Sequence, residues 1–352
     1  MDYPRVLGLQ TAVPDHCYSQ DQIADFYVNL LSEKGKRRER AIRTVLNYSG
    51  VAYRYSAAEG SFYDTPKSTR ERNDVYMVEA VKLGERLIRA GLERFEIAPE
   101  QITTLIVASC TGFNIPGLDL LLAGRLGMRA DLSRTCVLGM GCYGAFPAMR
   151  RAWESVRAQP NGLALVLALE LCSLHLQFDD SVETAVSTSL FADGAGMILI
   201  GRGGSAETGP KLIDAETYCD YQTLDHMTFT VTDEGFRMYL SSYVPDVLAA
   251  NVGEFVRRLL ERNDLVKGDV RFWAIHPGSK KIVEHLQAQL ELTDEQVRFS
   301  LETLHDYGNM SSATVLFVLE RMMQVGDPQP GDYGVMMAFG PGLTMESMLV
   351  QW

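Results

Sequence analysis

Cys-x-x-Cys pairs are missing from this chain. Its six cysteines (Cys17, Cys110, Cys136, Cys142, Cys172, Cys219) are scattered. That argues against a zinc site or a disulfide framework and for a reducing, cytoplasmic setting. Long apolar runs are missing too. No stretch of about eighteen apolar residues occurs, so neither a transmembrane helix nor membrane insertion is expected. The start, Met1-Asp2-Tyr3-Pro4-Arg5, lacks the basic region and apolar core of a signal peptide. Positive charge is in short supply: the net charge is -12. This disfavours nucleic acid and anionic membrane surfaces as partners, while leaving room for a local basic mouth. What remains is ordinary globular material, 352 residues with 46% hydrophobic and 22% charged content, enough for two domains or one large layered unit.

The periodicities alternate between strand and helix. Residues 5–13 read as a strand ended by Pro14-Asp15, and Gln20 to Leu31 as a helix capped by Ser19. A basic cluster follows: Lys34, Lys36, Arg37, Arg38, Arg40, Arg43 and, later, Arg54. It reads either as a solvated helix face or as a landing site for an anionic cofactor tail. Residues 60–74 read as a surface loop and Val75 to Ala90 as a helix; Leu105 to Ala108 is a strand and Leu118 to Leu126 a helix. Leu163 to Leu169 is an unbroken apolar run, the mark of a strand buried on both faces. Glu170 to Ser181 reads as a loop, and residues 201–210 are the best boundary between two halves. Beyond it, residues 212–240 are strand-rich. Val247 to Arg262 and Lys281 to Leu290 are helical, and Val270 to Ile275 and Val335 to Ala338 are strands. The alternation implies a layered α/β fold with mostly parallel strands.

The chain is organised around Leu138-Gly139-Met140-Gly141-Cys142-Tyr143-Gly144-Ala145-Phe146. A short apolar strand precedes it, and a helix with Phe146, Met149, Ala152, Trp153 and Val156 on one stripe follows. Cys142 therefore sits on a glycine-flanked strand-to-helix turn, where free N–H groups favour a thiolate. The plain alternative is a small cysteine packing a helix start. His276, after the strand ending at Ile275, and Asn309, in Tyr307-Gly308-Asn309-Met310-Ser311-Ser312, fall at similar junctions. A cysteine nucleophile needs an imidazole, and acyl transfer needs N–H donors for an oxyanion. Taken singly, each residue is equally at home as a structural one, and the spacing does not prove that the three converge.

Gly141-Cys142, Ile275-His276-Pro277-Gly278, Tyr307 to Ser312 and Phe339-Gly340-Pro341-Gly342-Leu343-Thr344 stand in the order and spacing of type III polyketide synthases. Leu190-Phe191-Ala192-Asp193-Gly194-Ala195 fits the same pattern. The chain thus resembles the chalcone synthase family from about Val6 to Trp352. Its segments Ser109 to Phe113 and Glu170 to Leu174 are more like the bacterial branch than the plant one. The resemblance implies a thiolase-like α/β fold, two pseudo-symmetric halves (1–205 with the cysteine, 206–352 with the histidine and asparagine) forming a five-layered αβαβα core, as a homodimer. It implies that Cys142 takes a starter acyl group from a coenzyme A thioester and that His276 holds the thiolate. His276 and Asn309 would bind the malonyl-CoA carbonyl during decarboxylation, with no metal and no permanently bound cofactor. Phe191 would be a gatekeeper ring. Cys110, Leu176, Ser187, Leu190, Met238 and Ser311 would line the cavity, Ile115 would reach into the partner's cavity, and Phe339, Gly340 and Pro341 would form the cyclisation loop. Plant members carry a second phenylalanine near Met238, so the gate here is expected to be softer. Coenzyme A phosphates would meet Arg40, Arg43 and Arg54, or alternatively Lys280 and Lys281; Ala41 and Tyr48 occupy positions that are basic in plant enzymes.

Leu176, Phe229 and Met238 point to an apolar cavity, a medium or long acyl starter, and an alkylpyrone or alkylresorcinol product. Cys110 also resembles the cavity cysteine of synthases that make tetrahydroxynaphthalene from malonyl-CoA alone. The rivals are an initiating ketoacyl-carrier-protein synthase, a cysteine hydrolase, and a silent binding partner. The Phe339 loop and Phe191 favour the polyketide reading, so a carrier protein is not the favoured acyl donor.

Overall fold

The computed structural model describes residues 3–30, 36–177, 179, 181–204, 208–241 and 243–352. Lys34 and the expected boundary between residues 205 and 206 lie outside the described residues. The first half contains β1 (Arg5–Ala12), β2 (His16–Ser19), α1 (Gln20–Leu30), α2 (Lys36–Tyr48), β3 (Tyr53–Ser56), α3 (Thr69–Arg94), β4 (Thr104–Ala108), α4 (Leu118–Leu126) and β5 (Ser133–Val137). It continues with α5 (Ala145–Ala158), β6 (Ala164–Leu171), α6 (Val182–Leu190) and β7 (Asp193–Gly201). The second half contains β8 (Lys211–Cys219), β9 (Met227–Thr232), β10 (Gly235–Leu240), α7 (Val244–Glu261), β11 (Val270–Ile275) and α8 (Lys280–Gln289). It ends with α9 (Asp294–Tyr307), α10 (Thr314–Val325), β12 (Tyr333–Gly340) and β13 (Thr344–Gln351).

Nine strands form one sheet in the order β11-β12-β13-β8-β1-β7-β6-β4-β5. Each half repeats one pattern. β4 runs parallel to β6, which is antiparallel to β7 and then to β1; β11 runs parallel to β12, which is antiparallel to β13 and then to β8. The sheet is therefore mixed, correcting the expectation of mostly parallel strands. Hydropathy alone does not distinguish the two directions when both faces are covered. The halves join edge to edge through the Arg5–Lys211 pair.

Side-chain alternation along the strands builds the layers. On β6, Leu165, Leu167, Leu169 and Leu171 face α3 and α4, while Ala164, Val166 and Ala168 face inward. On β11 and β12, Trp273, Ile275, Val335 and Met337 face α7 and α8, while Phe272, Ala274, Met336 and Ala338 face inward. Helices α5 and α10 fill the space between the two inner faces. The result is the five-layered αβαβα core of the thiolase-like fold.

Several element assignments differ from the sequence reading, among them the small strands β2 and β3, which were not expected. Helix α3 begins at Thr69, within the expected loop, because Ser68 and Glu71 form a reciprocal capping box. Residues 170–171 belong to β6 and Cys172–His175 form a short turn of 3-10 helix, in place of the loop expected from Glu170. Helix α9 was not expected from the sequence; its Thr293–Gln296 capping box marks the start. Among the described residues, no helix is long and apolar enough to cross a membrane.

The central layer is packed to contact: a Cβ placed on Gly196 of β7 would lie 2.8 Å from Leu316 Cβ on α10. Gly196→Val is expected to cost about 1–3 kcal/mol through overpacking. A lowered midpoint in urea unfolding checks it.

Candidate active site

After β5 the chain crosses Leu138-Gly139-Met140 and makes a short 3-10 turn, Gly141–Tyr143, before α5. Gly141 has φ +66°, and Pro341 lies where a Cβ would go. Backbone and space both demand glycine there. Cys142 is 7% exposed. Burial pushes its thiol up to about 11, while the Ser311 hydroxyl and the Asn309 amide, facing the sulfur, pull it down.

His276 extends the parallel pairing of β11 with β12, its N–H donating to Met337 O at 2.8 Å. It is 1% exposed, and burial pushes the imidazole down to about 3. Neither ring nitrogen has a hydrogen-bond partner. Each buried orphan of this kind costs about 1–3 kcal/mol, and both nitrogens stay available to a ligand or a neighbouring group.

Asn309 ties the pieces together. Its N–H donates to Leu190 O at 2.8 Å and its carbonyl accepts from Ala192 N at 2.9 Å, a bridge alongside Phe191. Its side-chain amide donates to Gly278 O at 3.1 Å, and its Oδ1 accepts from Ser311 N at 2.8 Å. One amide hydrogen is used there, and the amide also faces the Cys142 sulfur. Behind the cysteine lies Glu170, fully buried. Its carboxyl accepts from Ser312 Oγ at 2.6 Å, Thr111 Oγ1 at 2.8 Å and Cys110 N at 3.0 Å. Burial pushes Glu170 up, and the hydroxyl and N–H donors oppose that shift.

Three cavities meet at Phe191 and its neighbours. A mouth of about 550 Å³ lies between α2, α6 and α8, and Tyr48, Lys280 and Lys281 are on its wall. It shares Ser187 and Met238 with a narrow central cavity of about 30 Å³ that Phe191, Phe229 and Leu176 also line. Leu176 and Phe191 also border a third cavity, of about 240 Å³, walled by Tyr18, Ile23, Phe26 and Tyr55. Cys142, Cys172 and Phe191 pack as one cluster under Leu176, Phe229 and Met238. Among the described residues, no group of three or more His, Cys, Asp or Glu is placed to hold a metal ion.

Residues 3–204 match the N-terminal domain, and residues 217–352 the C-terminal domain, of the chalcone and stilbene synthases. The chain belongs to that family. It is a type III polyketide synthase, an acyltransferase that builds its product by condensation. It is 33% identical to a 1,3,6,8-tetrahydroxynaphthalene synthase of Streptomyces peucetius subsp. caesius, over 99% of this chain and 93% of that protein. It is 32% identical to the alpha-pyrone synthesis polyketide synthase-like Pks18 of Mycobacterium tuberculosis, over 97% and 89%. Among solved structures, the 1,3,6,8-tetrahydroxynaphthalene synthase of Streptomyces coelicolor A3(2) matches with a TM-score of 0.92 at 27% identity, covering 99% of each chain.

The synthase places its expected site residues unevenly. Leu176, Ser187 and Met238 line the central cavity with Phe191. Leu190 lines the mouth instead, and Cys110 and Ser311 sit beside Glu170, with Cys110 Sγ 3.5 Å from Ser311 Oγ. Phe339 is buried, and Gly340 passes so close to Cys142 N that a Cβ would stand 3.4 Å from it. Ile115 is 82% exposed and borders a separate cavity with Phe113, Cys136 and Leu138.

Arg54 does not serve the mouth. It is 3% exposed and donates to the Phe191 and Thr188 carbonyls, holding the backbone at Phe191. Arg43 is paired with Asp25 and Glu39, and neither it nor Arg40 lines the mouth. The softer gate is also corrected. Phe229, opposite Met238 on the β9–β10 ribbon, stands edge-on to Phe191 with ring centres 6.0 Å apart. Glu170 was not singled out from the sequence as a site residue, although a lone carboxylate closing an apolar strand was its signal.

A proton passed from Cys142 to His276 would leave opposite charges that stabilise each other against burial. Removing the imidazole removes that acceptor, so the thiol's apparent pKa rises. Alkylation of Cys142 by iodoacetamide is expected to titrate at higher pH in His276→Ala than in the wild-type synthase. Coincident pH profiles would show that the ring does not reach the sulfur.

Proposed function

We propose that the synthase loads an acyl group from a coenzyme A thioester onto Cys142 and extends it repeatedly with malonyl-CoA. The thiol gives its proton to His276 and attacks the starter thioester, and the coenzyme A sulfur takes that proton back from His276 as it leaves as the free thiol. Malonyl-CoA then loses carbon dioxide. The enolate that forms is held at its oxygen by a His276 ring N–H and the Asn309 amide that faces the sulfur. Its carbon attacks the Cys142 thioester, which releases the sulfur and lengthens the chain on coenzyme A. Repetition and ring closure, shaped by the end of β12 (Phe339, Gly340) and the turn that starts at Pro341, finish the product. The observation that supports this reading is His276, buried with two unpartnered nitrogens two residues from Gly278, whose carbonyl accepts from the Asn309 amide that also faces the Cys142 sulfur.

Phe191, Phe229, Leu176 and Met238 make an apolar passage, which favours a medium or long acyl starter and an alkylpyrone or alkylresorcinol product. One relative is named for alpha-pyrone synthesis. A second reading, a tetrahydroxynaphthalene from malonyl-CoA alone, is favoured by Cys110 standing beside Ser311 and by the name of another relative. Lys280 and Lys281, on the mouth and at the start of α8, are the residues we assign to the coenzyme A phosphates. The two halves, 1–205 and 206–352, supply the cysteine and the His–Asn pair respectively, and the reaction runs in the cytoplasm.

A homodimer is part of the same proposal. β5 is an edge strand whose Ser133 to Cys136 are exposed, flanked by exposed Phe113, Ile115, Leu138 and Met140. A bare edge with apolar neighbours invites a second copy. Sedimentation is expected to show a dimer that Leu138→Asp weakens; a monomeric wild type would refute it.

Labelled malonyl-CoA, alone and with acetyl- to palmitoyl-CoA, followed by mass spectrometry, tests the reaction. Pyrones or resorcinols with two or more malonate units support the first reading, and products from malonyl-CoA alone support the second. Free acids or single condensations would sink both. Asn309→Ala is expected to slow malonyl-CoA decarboxylation about 100- to 1,000-fold, the cost of one oxyanion donor. Cys142→Ala is expected to lose chain transfer while still decarboxylating.

A further inference from the structure

We propose that His175 is a positioning residue that sets the width of the acyl cavity, by tying the β9–β10 ribbon to the loop behind Cys142. The proposal rests on Cys142 being the acylated residue. The ribbon forms its own two-stranded sheet, separate from the nine-stranded one. It carries Phe229 and Met238, two walls of the cavity.

The ribbon is held at its tip. Thr69, the first residue of α3, donates its N–H to Asp233 O at 2.8 Å. Its hydroxyl donates to Thr232 O and accepts from Gly235 N, the latter at 2.7 Å. One residue further along, Phe236 N donates to His175 Nδ1 at 3.2 Å, and the two rings stack with centres 4.1 Å apart and planes 3° from parallel. The other ring nitrogen, Nε2, donates to Thr111 O at 2.7 Å. These bonds fix the tautomer: the proton is on Nε2 and Nδ1 accepts. Burial keeps the ring neutral, pushing it down to about 4. Arg72 fixes the turn that carries the ring by donating to the carbonyls of Leu174 and, at 3.3 Å, Leu176.

Thr111 is also fixed from behind, since its hydroxyl donates to Glu170. A continuous line of contacts therefore runs from the Glu170 carboxyl, beside the nucleophile, through Thr111 and His175 to Phe236 and, two residues on, Met238. Thr111, His175, Phe236 and Met238 all line the central cavity. At about 30 Å³ it has room for about two waters and not for an acyl chain. The chain's room therefore depends on how far the ribbon stands from Thr111, and His175 spans that gap. It acts as a stop that limits how long an acyl group the cavity takes.

His175→Leu removes both ring nitrogens, and Thr69→Val removes the hydroxyl at the tip. Neither residue touches the sulfur. The probe is covalent labelling of Cys142 in full-length protein by N-ethyl and N-decyl iodoacetamide, with rates read by mass spectrometry. Both variants are expected to raise the decyl-to-ethyl rate ratio about tenfold over wild type, the scale of one or two methylene contacts. Product mixtures should shift toward longer starters in parallel. A folded variant with the wild-type ratio overturns the proposal, as does an equal change for both reagents, which marks a structural role alone. If His175→Leu does not fold, Thr69→Val decides by the same ratio. A wild-type protein that makes no polyketide would defeat the proposed reaction, and the labelling ratio would still decide the role of His175.

Discussion

Two helix starts meeting inside the middle layer are the constraint on which this molecule rests. Helix α5 begins just after Cys142 and α10 just after Asn309, and both helices are sealed between two sheet faces. A buried helix start must find partners for its N–H groups or leave them for a ligand. Here the partners are few and specific. Ser312 binds Glu170, Asn309 binds Gly278 and the Phe191 bridge, and the remaining polar atoms face the sulfur. The repeat of one strand pattern in each half brings the two starts to one place, so the fold's pseudo-symmetry positions the chemistry.

Much of this was legible in the sequence because burial on both faces leaves a strong trace. The apolar run at Leu163 to Leu169 and the strand at Val270 to Ile275 both mark strands that the structure contains. The strand-to-helix turn at Cys142 was legible from glycine spacing. Strand direction was not, since a parallel and an antiparallel neighbour ask for the same side chains. Helices α3 and α9 were cut short or missed because their first turns are polar and announce themselves only by capping boxes. The basic cluster misled at Arg54: charge in a list of residues says nothing about depth, and this guanidinium is spent on backbone carbonyls.

Two buried histidines show where sequence stops and geometry begins. His175 and His276 are both sealed from water and both kept neutral by burial. His175 has a partner for each nitrogen; His276 has none. The first is fully bonded, and the second keeps unspent donor and acceptor capacity. A sequence cannot report that difference, because it depends on what other segments bring within 3 Å. The same holds for Phe229, which faces Phe191 only through the ribbon's register.

The shared middle layer also constrains how the chain comes off the ribosome. The inner faces of β4, β6 and β7 present Ile106, Ala108, Val166, Ala168, Ile198 and Ile200. Their cover includes Val315, Leu316, Phe317 and Leu319 of α10, more than a hundred residues later. A nascent first half can close its strands once β7 is made, yet it waits with an apolar face open until α10 emerges. Until then the nascent chain exposes apolar surface of the kind that chaperones shield. Expression at lower temperature or slower translation should favour soluble protein for that reason, and fragments ending near residue 204 inherit the open face permanently.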